Sequence, residues 1–146
     1  PRMNDSFTDP FLAEHAKEMP SGYQRAMGYR LAEWSEGHAV VIVEIGPQHM
    51  NRRQVVHGGV LASLIDTACG FSCAYSATPG AHPGTATISL STNFLAPAVF
   101  GTLRAVGTRR GGGRRIVFAS GEVFDEDGQL VALGEGSFRI GERGRA

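Results

Sequence analysis

Apolar residues crowd one segment of the chain, His57–Tyr75, HGGVLASLIDTACGFSCAY, whose only carboxylate, Asp66, lies near its middle. Val60, Leu61, Leu64, Ile65, Ala68, Cys69 and Phe71 fall on more than one face at helical spacing. A helix that is apolar on several faces is enclosed by protein rather than laid on a surface, so this segment is expected to be a central helix. On either side the pattern shortens towards alternation. Met27–Trp34 and Ala39–Ile45 read as paired strands turning at Ser35-Glu36-Gly37, with Pro47 ending the second. Thr85–Leu95, Thr102–Thr108, Arg115–Phe124 and Leu130–Ile140 read as four more strands. Gly111-Gly112-Gly113 and Asp125-Glu126-Asp127-Gly128 are the expected hairpin turns. Near the start, Asp9 before Pro10 is a helix-start signal for residues 11–19.

Two strands, one enclosed helix and four strands predict an α+β fold, with an antiparallel sheet curled round the helix. At 146 residues one domain spanning 1–146 is expected, with a helical extension over 1–23 and a tail over 141–146. A transmembrane reading of the central segment fails, because Asp66 would stand near the bilayer centre at a cost of roughly 3 kcal/mol. Fourteen basic and fourteen acidic residues give no net charge, which argues against a general nucleic-acid binder. The opening PRMNDSFTDPF lacks the charged and apolar regions of a signal peptide, so a cytoplasmic, soluble protein is expected. Cys69 and Cys73 lie four apart on one helical face and read as core. They are too few for a disulfide framework or a metal site. The other histidines, His15, His38, His49 and His82, share no metal-ligand spacing. Trp34 and Phe94 read as sheet packing.

The chemistry concentrates where a polar segment meets the helix. An ionised carboxylate in an apolar segment is costly unless a partner or a reaction compensates it, which singles out Asp66. The run Asn51-Arg-Arg-Gln54-Val-Val-His57-Gly58-Gly59, with Asp66-Thr67-Ala68 after it, resembles the signature of hotdog-fold acyl-CoA thioesterases. The nearest group is the phenylacetate-pathway, PaaI-like type. The spacing carries the resemblance: Asn six residues before the histidine, Asp nine after it. It extends over about residues 24–140 and includes Asn-Phe-Leu-Ala-Pro at 93–97. It implies a six-stranded antiparallel sheet around a long helix, and hydrolysis of a coenzyme A thioester without metal or cofactor.

Roles follow for particular residues. Gly58 and Gly59 open a helix, where free N–H groups and the helix dipole favour developing negative charge on a thioester oxygen. Asp66 is the expected nucleophile or the general base that activates water. Asn51 is expected to offer its side-chain amide near the reacting centre, with Gln54 orienting it or the adjoining loop. The plainer reading of Asn51 is a turn former. His57 is expected to fix the loop and the carbonyl rather than act as a base. Thr67 is expected to bond either the carboxylate or its own helix. The resemblance places Thr87 where some relatives carry a water-positioning hydroxyl. It also places Arg109, Arg110, Arg114 and Arg115 at a turn that meets the phosphates of coenzyme A, a task suited to the guanidinium fork. The plainer reading of that turn is a solvated hairpin.

Spacing predicts assembly. Nine residues at about 100° and 1.5 Å each put Asp66 across the helix from His57 and about 13 Å along it. One chain then cannot join its own Asp66 to its own Gly58, so a homodimer is expected, paired again into a dimer of dimers. The competing expectations are a non-catalytic acyl-CoA binding or sensing module, and a hydratase or dehydratase. The last lacks its Asp-x-Asn-x-x-His motif here.

Overall fold

The computed structural model describes residues 20–78 and 80–141. The helix expected over 11–19 and the end of the tail lie outside the described residues. The elements are α1 (Gly22–Met27), β1 (Arg30–Ser35), β2 (His38–Glu44), a 3-10 turn (Pro47–His49), α2 (Gly58–Ala74), β3 (Thr85–Phe94), β4 (Thr102–Gly112), β5 (Ile116–Phe124) and β6 (Leu130–Ile140). They form one six-stranded sheet in the order β1-β2-β4-β5-β6-β3, antiparallel at every pairing, with α2 packed on one face.

The pattern explains the packing. Leu61, Leu64, Ile65, Ala68 and Cys69 are buried in one cluster with Val41, Leu103, Ala105, Val117, Val123, Val131 and Phe138 from the sheet. Each large aliphatic removed from water in this way contributes roughly 1.5–3 kcal/mol. Glycine lets the sheet close on the helix. A Cβ on Gly107 would stand 2.1 Å from the Ala68 carbonyl oxygen, so any side chain there would push β4 off α2.

Three expectations change. Residues 22–27 form a helix, capped by the Ser21 side chain and ended by Gly28 at φ 74, so the first strand starts at Arg30 rather than Met27. The Ser21 hydroxyl accepts from the Gln24 N–H and so satisfies one of the amides a helix start leaves open. Gly111 and Gly112 belong to β4, which carries a bulge between Arg109 and Gly111; the turn itself falls at Gly113–Arg115, closed by Gly113 N–H to Ile116 O. Finally, α2 is not enclosed on every side. Gly59, Ala62, Ser63, Asp66, Thr67 and Phe71 form a stripe that the single chain leaves half-buried or exposed, because the strands cover only the opposite face.

Candidate active site

The segment before α2 is built by its own polar groups. Asn51 Oδ1 accepts from the N–H groups of Arg53 (2.8 Å) and Val55 (3.4 Å), while the Asn51 N–H donates to the Val55 carbonyl. The Asn51 oxygen thus ties a tight turn, as the plainer reading of this residue expected. That turn forces Gln54 to φ 59, the left-handed region, and no other non-glycine residue among those described has a positive φ. Such a backbone costs of order 1–3 kcal/mol and collects at functional sites. The exposed Gln54 side chain stands on that strained corner, immediately before the helix.

His57 is the N-cap of α2. Its Nδ1 accepts from the Gly59 N–H at 2.8 Å, and its carbonyl accepts from Val60. This divides the pair of glycines. The Gly59 amide is occupied within the chain, whereas the Gly58 N–H has no acceptor among the described residues. The first amide of the helix is therefore the open donor, strengthened by the helix dipole. Phe94, at the end of β3, lies over it: a Cβ on Gly58 would come 3.2 Å from the Phe94 ring. Phe94 is 54% exposed, so it is not the sheet packing expected of it. The NFLAP segment carried the only signal for this placement.

Asp66 stands two turns further on, in the open stripe, half-buried rather than enclosed. The Thr87 hydroxyl of β3 donates to Asp66 Oδ1 at 2.6 Å, which holds the carboxylate and leaves Oδ2 without a partner among the described residues. Thr67 makes no such bond to Asp66 among the described residues; it lines the adjoining cavity. That cavity, of about 300 Å³, runs between α2 and β3 and is bounded by Asp66, Thr67, Phe71, His82, Pro83 and Thr87. Behind it the buried Trp34 ring meets Phe71, Tyr75 and His82 edge-on at 5.3–5.7 Å, and Trp34 Nε1 donates to the Phe71 carbonyl. None of Asn51, Gln54, His57, Gly58 or Gly59 borders the Asp66 cavity.

The four arginines do not act as one cluster. Arg110 Nε donates to the Ser120 hydroxyl at 2.6 Å on the sheet face turned away from α2. Arg109 lies on the helix side; burial pushes the Cys73 thiol up, against which the Ser72 hydrogen bond and then the Arg109 charge pull. Arg114 and Arg115 are exposed at the turn. As neighbours along β4, the first two point to opposite faces by the ordinary alternation of a strand. Both cysteines are free and buried. Burial, with the Cys73 thiol and the Asp66 carboxylate adding to it, pushes Cys69 up to about 12, which leaves an inert core thiol. Among the described residues no three His, Cys, Asp or Glu side chains gather as metal ligands, and no helix is long and apolar enough to cross a membrane.

A six-stranded antiparallel sheet on one long helix, with an open amide at the helix start and a held carboxylate at its middle, is the hotdog architecture. The chain matches the thioesterase superfamily over residues 53–132, from the turn before α2 into β6, and it belongs to that superfamily. Among its relatives, the acyl-coenzyme A thioesterase PaaI of Escherichia coli (strain K12) is 34% identical over 129 residues, 87% of this chain and 89% of the relative. The solved structure of the E. coli PaaI protein from the phenylacetic acid degradation operon superposes with a TM-score of 0.76 at 30% identity. That superposition covers 88% of this chain and 91% of the other. A conserved protein of Pseudomonas aeruginosa gives the same TM-score and identity over 84% and 95%.

Proposed function

We propose that this protein is an acyl-CoA thioesterase of the PaaI type, in which Asp66 delivers the attack and the Gly58 amide receives the developing oxyanion. The observation that carries the assignment is the Thr87–Asp66 hydrogen bond at the wall of the cavity between α2 and β3. With Oδ1 bound to Thr87, the second oxygen is free either to attack the thioester carbonyl or to take a proton from water. In the first route an acyl–Asp66 anhydride forms, coenzyme A leaves as the thiol, and water then cleaves the anhydride. In the second, water adds directly. The Gly58 N–H stabilises the tetrahedral oxygen in both, and a donor already in place pays no reorganisation when the charge appears. The Asn51 amide, Gln54 and the Phe94 ring border the helix start. Gly59 and His57 act through the backbone they hold. Thr67 lines the acyl cavity.

Two features support a composite site made by a homodimer. Along one helix Gly58 and Asp66 are about 12 Å apart, and they share no cavity. β3 is moreover a ten-residue edge strand with no charged residue and no proline, TATISLSTNF, almost wholly exposed. An edge left so open is a template for a second strand, and a two-fold partner on it would bring its own Asp66 towards this chain's open stripe. A second pairing of dimers is proposed on the outer sheet face, where Phe118 and Leu133 are exposed. Coenzyme A phosphates are proposed to meet the arginines near the β4–β5 turn.

The test is thiol release from aryl, short, medium and long acyl-CoAs by the wild type and by Asp66→Asn. Turnover that vanishes in the variant supports the reading. Acyl-CoA binding without release in the wild type would make the protein a binding module instead.

A further inference from the structure

We infer that His49 is a positioning residue for catalysis, a buried latch that aims the Gly58 amide. The inference rests on the proposed role of that amide as oxyanion donor. His49 is 1% exposed, in a segment whose neighbours are largely exposed, and both of its ring nitrogens are engaged. Nδ1 accepts from the Gly46 N–H at 2.9 Å, while the His49 N–H donates back to the Gly46 carbonyl at 3.0 Å. This reciprocal pair locks the 3-10 turn, as a capping box locks the start of a helix. Because Nδ1 is an acceptor, the ring must be the Nε2–H tautomer, and Nε2 donates to the Met27 carbonyl at the end of α1, 2.7 Å away.

The consequence reaches the site through the backbone. The His49 carbonyl accepts from the His57 N–H at 2.8 Å, and the next amide in the chain is that of Gly58. Any rotation at residue 49 would move this carbonyl and with it the peptide plane that precedes the open donor. Val56 N–H to Ala98 O fixes the other flank of the same peptide. A buried polar ring with every partner satisfied rigidifies what it touches; removing it leaves two partly buried backbone groups, Gly46 N–H and Met27 C=O, without this partner. An oxyanion donor is effective only when it is already aimed, so slackness here lowers kcat and not substrate affinity.

The test uses the full-length protein and three variants, His49→Ala, His49→Asn and His49→Gln, each assayed well below its own melting temperature. Asn offers an oxygen where Nδ1 stood; Gln offers an N–H nearer the place of Nε2. His49→Ala should lose about tenfold to thirtyfold in kcat with KM changed less than about threefold, part of what deleting an oxyanion donor outright costs. His49→Asn, which keeps the Gly46 bond, should recover most of that loss, and His49→Gln should recover less. Amide exchange at His57, whose N–H bonds the His49 carbonyl, should speed up in step with the loss of kcat. A measurement without variants stands beside these: the imidazole ¹⁵N signals of wild-type His49 should report a bare Nδ1 and a protonated Nε2. Unchanged kcat in a folded His49→Ala protein, no advantage of Asn over Ala, or a protonated Nδ1 would each overturn the inference. Should Asp66→Asn keep full turnover, the site assignment fails, while the exchange and ¹⁵N readouts still report on the latch.

Discussion

The sheet has two edges, and they are finished in opposite ways. β1 is six residues long, carries Arg30 and Glu33, and is bulged between Leu31 and Glu33. Both edges are bulged, β3 between Thr87 and Ser89, so short length and charge are the devices that set β1 apart as an edge that does not recruit another strand. β3 is ten residues long, uncharged, and made of small hydroxyls with Ile88, Leu90 and Phe94 between them. It also borders the proposed site: Thr87 holds Asp66 from this strand, and Phe94 at its end covers Gly58. One edge closes the fold; the other is left open where the chemistry is proposed. The lesson is that β3 belongs to the proposed active site as well as to the sheet, and a partner pairing with it would complete both.

The comparison can be broken most severely at the acid. Asp66→Asn preserves shape and removes the charge, and turnover should fall at least about a hundredfold with the melting temperature little changed, the scale of a positioned acid–base group. Steady-state thiol release and thermal denaturation check this together.

A matched pair of edge substitutions should come next. Ile88→Lys on β3 places a charge on the open edge and should yield monomers by analytical ultracentrifugation, with activity down by about tenfold or more if the site is shared. Ser35→Lys on β1 should alter neither mass nor rate beyond about twofold, the usual outcome for a surface change. Equal effects at both edges would remove the distinction.

Mixing sharpens the same point. Refolding Asp66→Asn together with a Gly58 variant should make about half the dimers mixed, each with one intact site, and return near a quarter of wild-type activity by two-fold counting. No recovery in proven heterodimers would place Asp66 and Gly58 in one chain's site. Thr87→Val, by removing one hydrogen bond to the carboxylate, should cost about tenfold in kcat, the equivalent of roughly 1.4 kcal/mol.

The smallest effects belong to the arginines. Arg114→Ala and Arg115→Ala should raise KM for coenzyme A esters by about twofold to fivefold with kcat held, and added salt should shrink the difference. Arg109→Ala and Arg110→Ala test the same proposal on the two sides of the sheet. A KM unchanged in all four variants would mark the turn as a solvated hairpin.

The sequence by itself determined the helix and the succession of strands around it, and it singled out Asp66 as the candidate for chemistry. Helical periodicity over 58–74 has one stable outcome when the flanking segments alternate, and a lone acid in such a run has few uses apart from reaction. Thr87 could be named only through family resemblance, since a threonine in a strand carries no signal of its own. Tertiary structure alone decided the rest. That Gly59 spends its amide on His57 while Gly58 keeps its own follows from a side-chain rotamer, not from spacing. That Arg109 and Arg110 face opposite sides follows from β4 running on to Gly112, past the end expected at Thr108, so that ordinary strand alternation reaches both arginines. His49 looked like one more polar residue because its partners, Gly46 and Met27, offer backbone groups, and backbone groups leave no trace in the order of side chains.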